Sequence, residues 1–521
     1  MGWTDDAGRG SSRSSSGGEG MTSTSTDALT VTPALPETVQ IVAGETQVPA
    51  ETLDLVLEDP FRGETLAAAA SSDAASVERA LAAADEAHAG ETWSGLDPEA
   101  RADLLDQIGA ALEPQLGELA VLESFATGVP VRQTAVVGVI VPGAFHLAAQ
   151  MLRSGALLDE VEGAAGNAVE VHRLPLGPAL CLVPWNAPAP MAAHKVASAL
   201  AAGCPTILKP SEYAPYATTV LGRTIASVLA DAGVHPGVFQ LLQGGPGVGG
   251  TLVNDPRIRA VSFTGGHVGG AAIAAACAMS YTALQLELGG NNPLVVLDDA
   301  DADDAARAAV DLLTTLNGQW CRALGRLVLP ESMADDVLER IVGRLAELRT
   351  GDPLDQATDL GPIVHSVHLA RLRAELDRLA ADGGRAYAST PLPDGDGTFL
   401  APTLVRGVDP QLAVDEIFGP VATVHTYRTD DEAVALANGT PYGLEGYVFG
   451  TDTERALAVA RRVRAGEVKV NGSSIMSLHL MTPRPAWGIS GMGDEGTLET
   501  IRFFTGARVV GVEGSFALHG R

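Results

Sequence analysis

The chain has 521 residues, of which 46% are hydrophobic and 19% charged, a globular balance with enough apolar mass for two or three domains. Its formal net charge of −30 opposes both nucleic acid and an anionic membrane surface, so neither is an expected partner. Four cysteines, Cys181, Cys204, Cys277 and Cys321, make neither a disulfide framework nor a C-x-x-C zinc pair.

Residues 1–35 are rich in Ser, Gly and Thr and predict a disordered tail, in which Met21 is an alternative start. The opening "MGWTDDAGRGSSRSSSGGEG" lacks the apolar stretch of a secretory signal. The nearest approach to a membrane span, "AVVGVIVPGAFHLAAQ", is interrupted by Pro142, His146 and Gln150. The expectation is a reduced, cytoplasmic protein.

From about residue 50, Ala-rich amphipathic segments alternate with short β-branched runs. "DAASVERALAAADEAHAG" and "DPEARADLLDQIGAALEPQLGELAVLESFATG" carry apolar residues at three- and four-residue spacing and predict helices. Residues 157–177 alternate around a Gly-rich turn and predict a hairpin, which is marginal alone and needs a pairing partner. Then "GPALCLVPWN", "PTILKPSE", "GVFQLLQG" and "IRAVSFTGG" read as buried strands, with the helices "APMAAHKVASALAAG" and "YATTVLGRTIASVLADAG" between them. That order predicts a parallel sheet wound with helices, built from residues 40–156 and 178–287. A second α/β series, residues 288–485, runs through "NPLVVLDD", "LGRLVLP", "ATVHTY", "EGYVFG" and "GEVKVNG".

Parallel sheets hold ligands at the carboxyl ends of their strands. Three such loops stand out: "LVPWNAP" with Asn186, "LKPSEYAP" with Lys209, Ser211 and Glu212, and "SFTGGHVGGAA" with Gly265, Gly266, Gly269 and Gly270. The last turn leads into a helix whose backbone N–H groups suit a diphosphate. "GGPGVGG" (244–250) is a weaker match and reads as a loop. Lys209 and Glu212 form either a surface ion pair or a grip on ribose hydroxyls. Of 34 basic residues only Lys195, Lys209 and Lys469 are lysine, which marks positions where a compact ammonium matters, or chance.

"NGQWCRALGR" sets Cys321 beside Arg322 in a polar, electropositive stretch that suits a reactive thiol, whereas a free cysteine is ordinarily a buried filler. In "LQLELGGNNP", Glu287 is a carboxylate within a buried strand, either a base of raised pKa or half of a salt bridge.

Taken together, "PWNAP", "LKPSE", "FTGGHVGG", "LELGGNNP", "GQWCRALGR" and "EIFGPV" resemble the aldehyde dehydrogenase superfamily, in order and spacing, over roughly residues 50–515. The resemblance implies a Rossmann-like cofactor domain, a second α/β catalytic domain and a small oligomerisation hairpin. It implies that Cys321 attacks an aldehyde to give a thiohemiacetal, that Asn186 with the Cys321 N–H holds the oxyanion, and that Glu287 activates the water that hydrolyses the thioester. NAD is the implied cofactor, with NADP possible. Lys209 and Glu212 would bind its adenosine ribose, and Glu416 and Phe418 the nicotinamide ribose and ring. Pro184, Trp185, Ser211, Phe263, Thr264, Gly265, Gly266 and Leu288 would complete the site. Glu287 favours hydrolysis over transfer to coenzyme A, and Glu212 favours NAD by repelling a 2′-phosphate.

The chain departs from the family pattern at Leu324, Gly266, Ala187 and His194. Ala187 and His194 imply either a wider or more polar channel and a bulky or polar aldehyde, or a gap filled by another residue, for which "SIMSLHLM" (474–481) is the candidate. "DDADADDAA" (298–306) resembles a calcium loop without its glycine or distal glutamate and reads as a helix N-terminal cluster. His365 and His368 share a helix face without a third ligand, so no metal is expected. The hairpin and the strand in 500–515, "GARVVGVEG", fit oligomerisation elements of a dimer or tetramer, the hairpin pairing with a neighbouring subunit. A catalytically silent binding member and a non-redox thiol esterase are the alternatives.

Overall fold

The computed structural model describes residues 33–163 and 166–513; the tail expected over residues 1–35 lies, as far as Thr32, outside them. Two large sheets carry the fold. The first is ordered Glu45–Gln47, Gln40–Val42, Phe239–Leu241, Thr206–Pro210, Ala179–Val183, Ala260–Thr264, Ala283–Glu287, Gly491–Met492. Its five central strands are parallel and its edges antiparallel. "ALCLV" and "TILKP" are buried at every position, so these strands are continuous apolar runs with helices on both faces.

Between them runs the helix Pro188–Ala202. It starts with Pro188 at its first turn and ends at Gly203 in the left-handed region (φ 92), and its many alanines let it bury almost all round. The segment 97–128 breaks at Pro114 into helices Pro98–Leu112 and Leu116–Thr127, with a 3-10 turn between. Residues 131–153 form two abutting helices, Val131–Gly138 and Ile140–Arg153. By length and apolarity this stretch could cross a membrane, yet the second helix packs against Pro98–Leu112 and Pro188–Ala202.

The second sheet is ordered Arg385–Tyr387, Thr403–Arg406, Val421–Tyr427, Leu324–Pro330, Asn292–Val296, Glu445–Phe449, Glu467–Val470, with all but its first strand parallel. The chain then returns: Gly491–Met492 pairs with Ala283–Glu287 at the edge of the first sheet. A hairpin that the sequence reading missed, Glu51–Asp59 with Glu64–Ser71, forms a small sheet of its own.

The hairpin expected over 157–177 is present as Leu158–Glu162 and Ala168–Pro175. Within the chain its second strand pairs along its length with Thr505–Gly511. Residues up to Phe503 of the 500–515 segment are helical, so the strand begins only at Thr505. "GGPGVGG" is also not a plain loop: Gly245 is the N-cap of the helix Pro246–Val253.

Candidate active site

In the first sheet the strand order reverses between Ala179–Val183 and Ala260–Thr264, and the crevice at that switch point is a natural ligand site. The loops that leave these two strands carry Trp185 and Asn186, and Gly265 and Gly266.

Cys321 reaches the crevice differently, from the amino end of a second-sheet strand, on a turn of unusual backbone. Leu316, Asn317 and Gly318 are all left-handed, with φ of 49, 56 and 70. For the two non-glycines this costs about 1–3 kcal/mol each and needs surrounding structure to enforce it. Asn317 supplies much of that: its amide donates to the carbonyls of Gly128 (2.8 Å) and Pro362 (2.9 Å) and accepts from the Gly361 N–H (3.0 Å). The Leu316 N–H donates to Gln133, and a Cβ on Gly318 would sit 2.5 Å from the Pro420 nitrogen. Beyond the turn, the Asn292 amide donates to the carbonyls of Cys321 (2.9 Å) and Ala323 (2.8 Å). Asn292 and Asn317 were not singled out in the sequence; "NNP" and "LNG" are weak signals until the turn is visible.

All four cysteines are free; Cys181, Cys204 and Cys277 are buried, and Cys321 alone is partly open. Burial pushes its thiol up to about 12, with Arg322 opposing and Glu287, Glu416 and Glu495 adding to the rise. The expected electropositive setting does not hold, because Arg322 is neutralised. Its guanidinium lies 2.9 Å from Glu467 and 3.1 Å from Glu445, and Lys469 lies 3.0 Å from the other Glu445 oxygen. All four side chains are buried. The cluster also fastens the loop beyond it: Lys469 donates to Ser474 O (2.9 Å), and Glu467 accepts the Leu478 N–H (2.6 Å).

Asn186 is buried, and its amide donates to Gln319 O at 2.9 Å, which leaves its second N–H for another acceptor. Glu287 ends its strand in register with Thr264 and Gly491. Its backbone is pinned: the Gly265 N–H donates to Glu287 O (3.0 Å), and the next residue, Leu288, donates to Ser490 O (2.7 Å). One carboxylate oxygen is buried without a partner. Burial, then repulsion from Glu495, holds this carboxyl well above the usual range. Cys321, Asn186 and Glu287 line one cavity of about 290 Å³.

Glu495, which sequence reasoning missed, shares that cavity. It lies 3.2 Å from Arg484, 3.7 Å from His194 and 3.9 Å from Lys195. Although burial works against it, Arg484 foremost holds its carboxyl below the ordinary range. Lys195 is fully buried and donates to Ser262 (2.8 Å), which donates to Gln285 (2.8 Å).

The remaining residues lie along the same crevice. Trp185, just beyond Pro184, meets Phe418 edge-on at 5.5 Å and His368 at 5.4 Å. His365 caps its own helix, stacks on Tyr213 at 4.2 Å, and accepts the His368 N–H, while the His368 ring bonds Phe418 O at 2.9 Å. Lys209 ends its strand buried; its amine donates to Pro210 O and lies 3.8 Å from Glu212. Ser211 accepts the Tyr213 N–H. The glycines of "FTGGHVGG" serve packing as well: a Cβ on Gly265 would lie 2.4 Å from the Phe263 ring, and one on Gly270 2.6 Å from Leu288. Gly266 faces open space as the uncapped start of the helix His267–Cys277, and the Thr264 hydroxyl beside it is buried without a partner. The Glu416 carboxylate accepts the Gly290 N–H at 2.8 Å and fills the space a Cβ on Gly289 would take, and burial pushes its pKa up to about 7. Asp301 of the acidic run caps a helix, accepting the Asp303 and Asp304 N–H groups.

Residues 48–510 match the aldehyde dehydrogenase family. The chain belongs to that family. It is 36% identical over 411 residues to the geranial dehydrogenase of Castellaniella defragrans, covering 76% of this chain and 83% of that one. Among solved structures it resembles the aldehyde dehydrogenase C of Pseudomonas syringae, a mutant complexed with NAD+ and octanal (TM-score 0.84, 32% identity, 91% and 96% of the two chains). It also resembles the NAD+ complex of the betaine aldehyde dehydrogenase of Staphylococcus aureus (TM-score 0.86, 27% identity, 93% and 97%). As an aldehyde dehydrogenase, the chain is an oxidoreductase acting on aldehydes.

Proposed function

We propose that this chain is an NAD-dependent, hydrolytic aldehyde dehydrogenase in which Cys321 is the nucleophile, Asn186 the oxyanion donor and Glu287 the base. The observation that carries the reading is one cavity shared by a presented thiol, an amide with a spare N–H and a buried carboxylate without a partner. With its pKa raised to about 12, Cys321 rests as a thiol and must pass its proton to a base before sulfur bonds the carbonyl carbon. Glu287, held above the ordinary carboxylate range, is matched to take a proton near neutral pH. The free N–H of Asn186 stabilises the oxyanion of the thiohemiacetal. After oxidation, and once it has released the first proton to solvent, Glu287 takes a proton from water, whose oxygen attacks the thioester; the C–S bond breaks, the carboxylic acid leaves and the proton on Glu287 returns to the Cys321 sulfur.

The residues fit a dinucleotide. The uncapped helix start at Gly266 and the orphaned Thr264 hydroxyl suit phosphate oxygens. Lys209 with Glu212 suits ribose hydroxyls, Glu416 the second ribose, and Trp185 and Phe418 the rings. NAD, when bound, supplies the hydride acceptor. Glu212 disfavours the 2′-phosphate of NADP.

A cytoplasmic setting, which keeps Cys321 reduced, belongs to the same proposal, as does a homodimer or homotetramer. The three-stranded sheet supports oligomerisation: Leu158, Val161, Val509, Val510 and Val512 are exposed on or beside it, and Leu158–Glu162 offers an edge. The domain reading also stays, with 40–156 and 178–287 binding the cofactor and 288–485 supplying the cysteine.

The deciding experiment measures NADH formation from NAD with an aldehyde panel on the wild type and Cys321→Ala, with NAD binding followed separately. Loss of turnover by at least about 10⁴-fold with NAD binding retained is the expected result. Equal turnover in both proteins overturns the mechanism.

A further inference from the structure

We infer that the cavity selects bulky, unsubstituted hydrocarbon aldehydes and rejects aldehydes that carry a carboxylate or a quaternary ammonium group. The inference rests on the reading of Cys321 as the nucleophile, and it decides between the two classes, bulky and polar, that Ala187 and His194 left open.

The walls are apolar and roomy. Val137, Ile140 and Leu147 line one part of the cavity, and Ile475, Met476 and Leu480 another. Several other lining residues are small. Ala144 and Ala187 end at Cβ, and a Cβ added to Gly143 would meet nothing within 4 Å. Of the loop that supplies Met476 and Leu480, the side chains of Met476, Leu478, Leu480 and Met481 are 38–65% exposed, an apolar approach of the kind that marks a binding site.

Apart from Glu287, the charged groups on the lining are already engaged with charged partners. Arg322 is neutralised by Glu445 and Glu467. Glu495 contacts Arg484, Lys195 and His194, and Arg484 spans Glu495 and the Ser477 hydroxyl (3.4 Å). His194 is neutral, its pKa lowered by burial to about 4, and its ring bonds Thr500. Glu287 is reserved for the reacting end, as is Asn186. A substrate carboxylate would have to draw Arg484 from Glu495 and leave that buried carboxylate with less compensation. A quaternary ammonium group finds no carboxylate on the lining that is both unpaired and spare, since Glu287 serves the reacting end, and among the lining side chains Trp320 is the single ring of the kind that binds such cations, where recognition takes a cage. What the cavity offers is room and apolar surface.

The test compares kcat/KM for unbranched aldehydes from two to ten carbons, a branched ten-carbon aldehyde, the ω-carboxylate of the nine-carbon aldehyde and a trimethylammonium aldehyde. The expected result is a rise of roughly fourfold per added methylene until the cavity is filled. The two charged compounds fall at least about 100-fold below their apolar counterparts, and Ala144→Phe lowers the value for the long aldehydes more than for the short ones. A carboxylate aldehyde used as well as its apolar counterpart, with that use lost in Arg484→Met, overturns the inference and makes Arg484 an anion site. Failure of the underlying mechanism is separable, because Cys321→Ala can be titrated calorimetrically with the nine-carbon carboxamide and its ω-carboxylate. Tighter binding of the plain carboxamide supports the selectivity whatever the chemistry. Equal binding of the two, or tighter binding of the carboxylate, overturns it.

Discussion

Two buried ionic clusters adjoin the cavity, and they distribute their charges differently. Arg322, Glu445, Glu467 and Lys469 match two cations to two carboxylates, each carboxylate touching at least one cation. In the other cluster both cations, Lys195 and Arg484, contact Glu495, and among the described residues no ion pair reaches Glu287. The consequence is chemical. Glu495 is held ionised, and Glu287, desolvated and facing a neighbouring negative charge, keeps a proton above the ordinary carboxylate range. The matched cluster instead fastens the Cys321 turn to the loop that supplies the cavity wall. Equal pairing makes a clamp; unequal pairing makes a base.

Substitutions can break that contrast. Glu287→Gln removes the unpaired member and should cut steady-state turnover by about 10²–10⁴-fold, with acyl-enzyme accumulating in mass spectra of the reacting protein. Normal turnover without that species would mean another group is the base. Glu467→Gln unbalances the clamp and should cost about 3–5 kcal/mol of unfolding free energy, read by denaturant titration; its activity loss should track the release of the 474–478 loop, seen as faster amide exchange there.

Glu495→Gln sharpens the contrast instead. It removes the repulsion on Glu287 and frees Lys195 and Arg484 to act on it. Because Glu287 works deprotonated, turnover falls as pH drops through its raised pKa, and in this variant the acid limb of the profile should move to lower pH. A limb that stays in place would mean Glu495 does not set it. The smallest effect is expected at an exposed cluster, Arg153 with Glu99, Asp103 and Asp106. Water and salt already screen those charges, so Arg153→Ala should leave activity unchanged and barely move the melting temperature.

Much of the fold was legible in the sequence because the central strands are buried on both faces and read as apolar runs closed by Pro or Gly. The hairpin Glu51–Asp59 with Glu64–Ser71 was missed because its Ala-rich second strand carries no β-branched alternation and packs outside the two large sheets. The three lysines were a usable signal. All are buried, on Ser262 and Glu495, on Pro210 O near Glu212, and on Ser474 O and Glu445 respectively. Lys469 had no explanation until the clamp appeared. The electropositive setting expected from Arg322 failed because a local sequence shows a charge and not its counter-charges, which here come from strands more than 100 residues away.

The sequence by itself determined the parallel α/β class and the ordered motifs, and the resemblance those motifs carry named the candidate nucleophile, base and oxyanion donor. The motifs depend on residue type and short spacing, which the chain carries locally. Tertiary structure alone decided which strand pairs with the hairpin, that left-handed residues held by Asn317 present Cys321, and which carboxylate goes without a cation. Those depend on distances between groups far apart in the chain, and Coulomb and desolvation energies follow distance and burial, not sequence order.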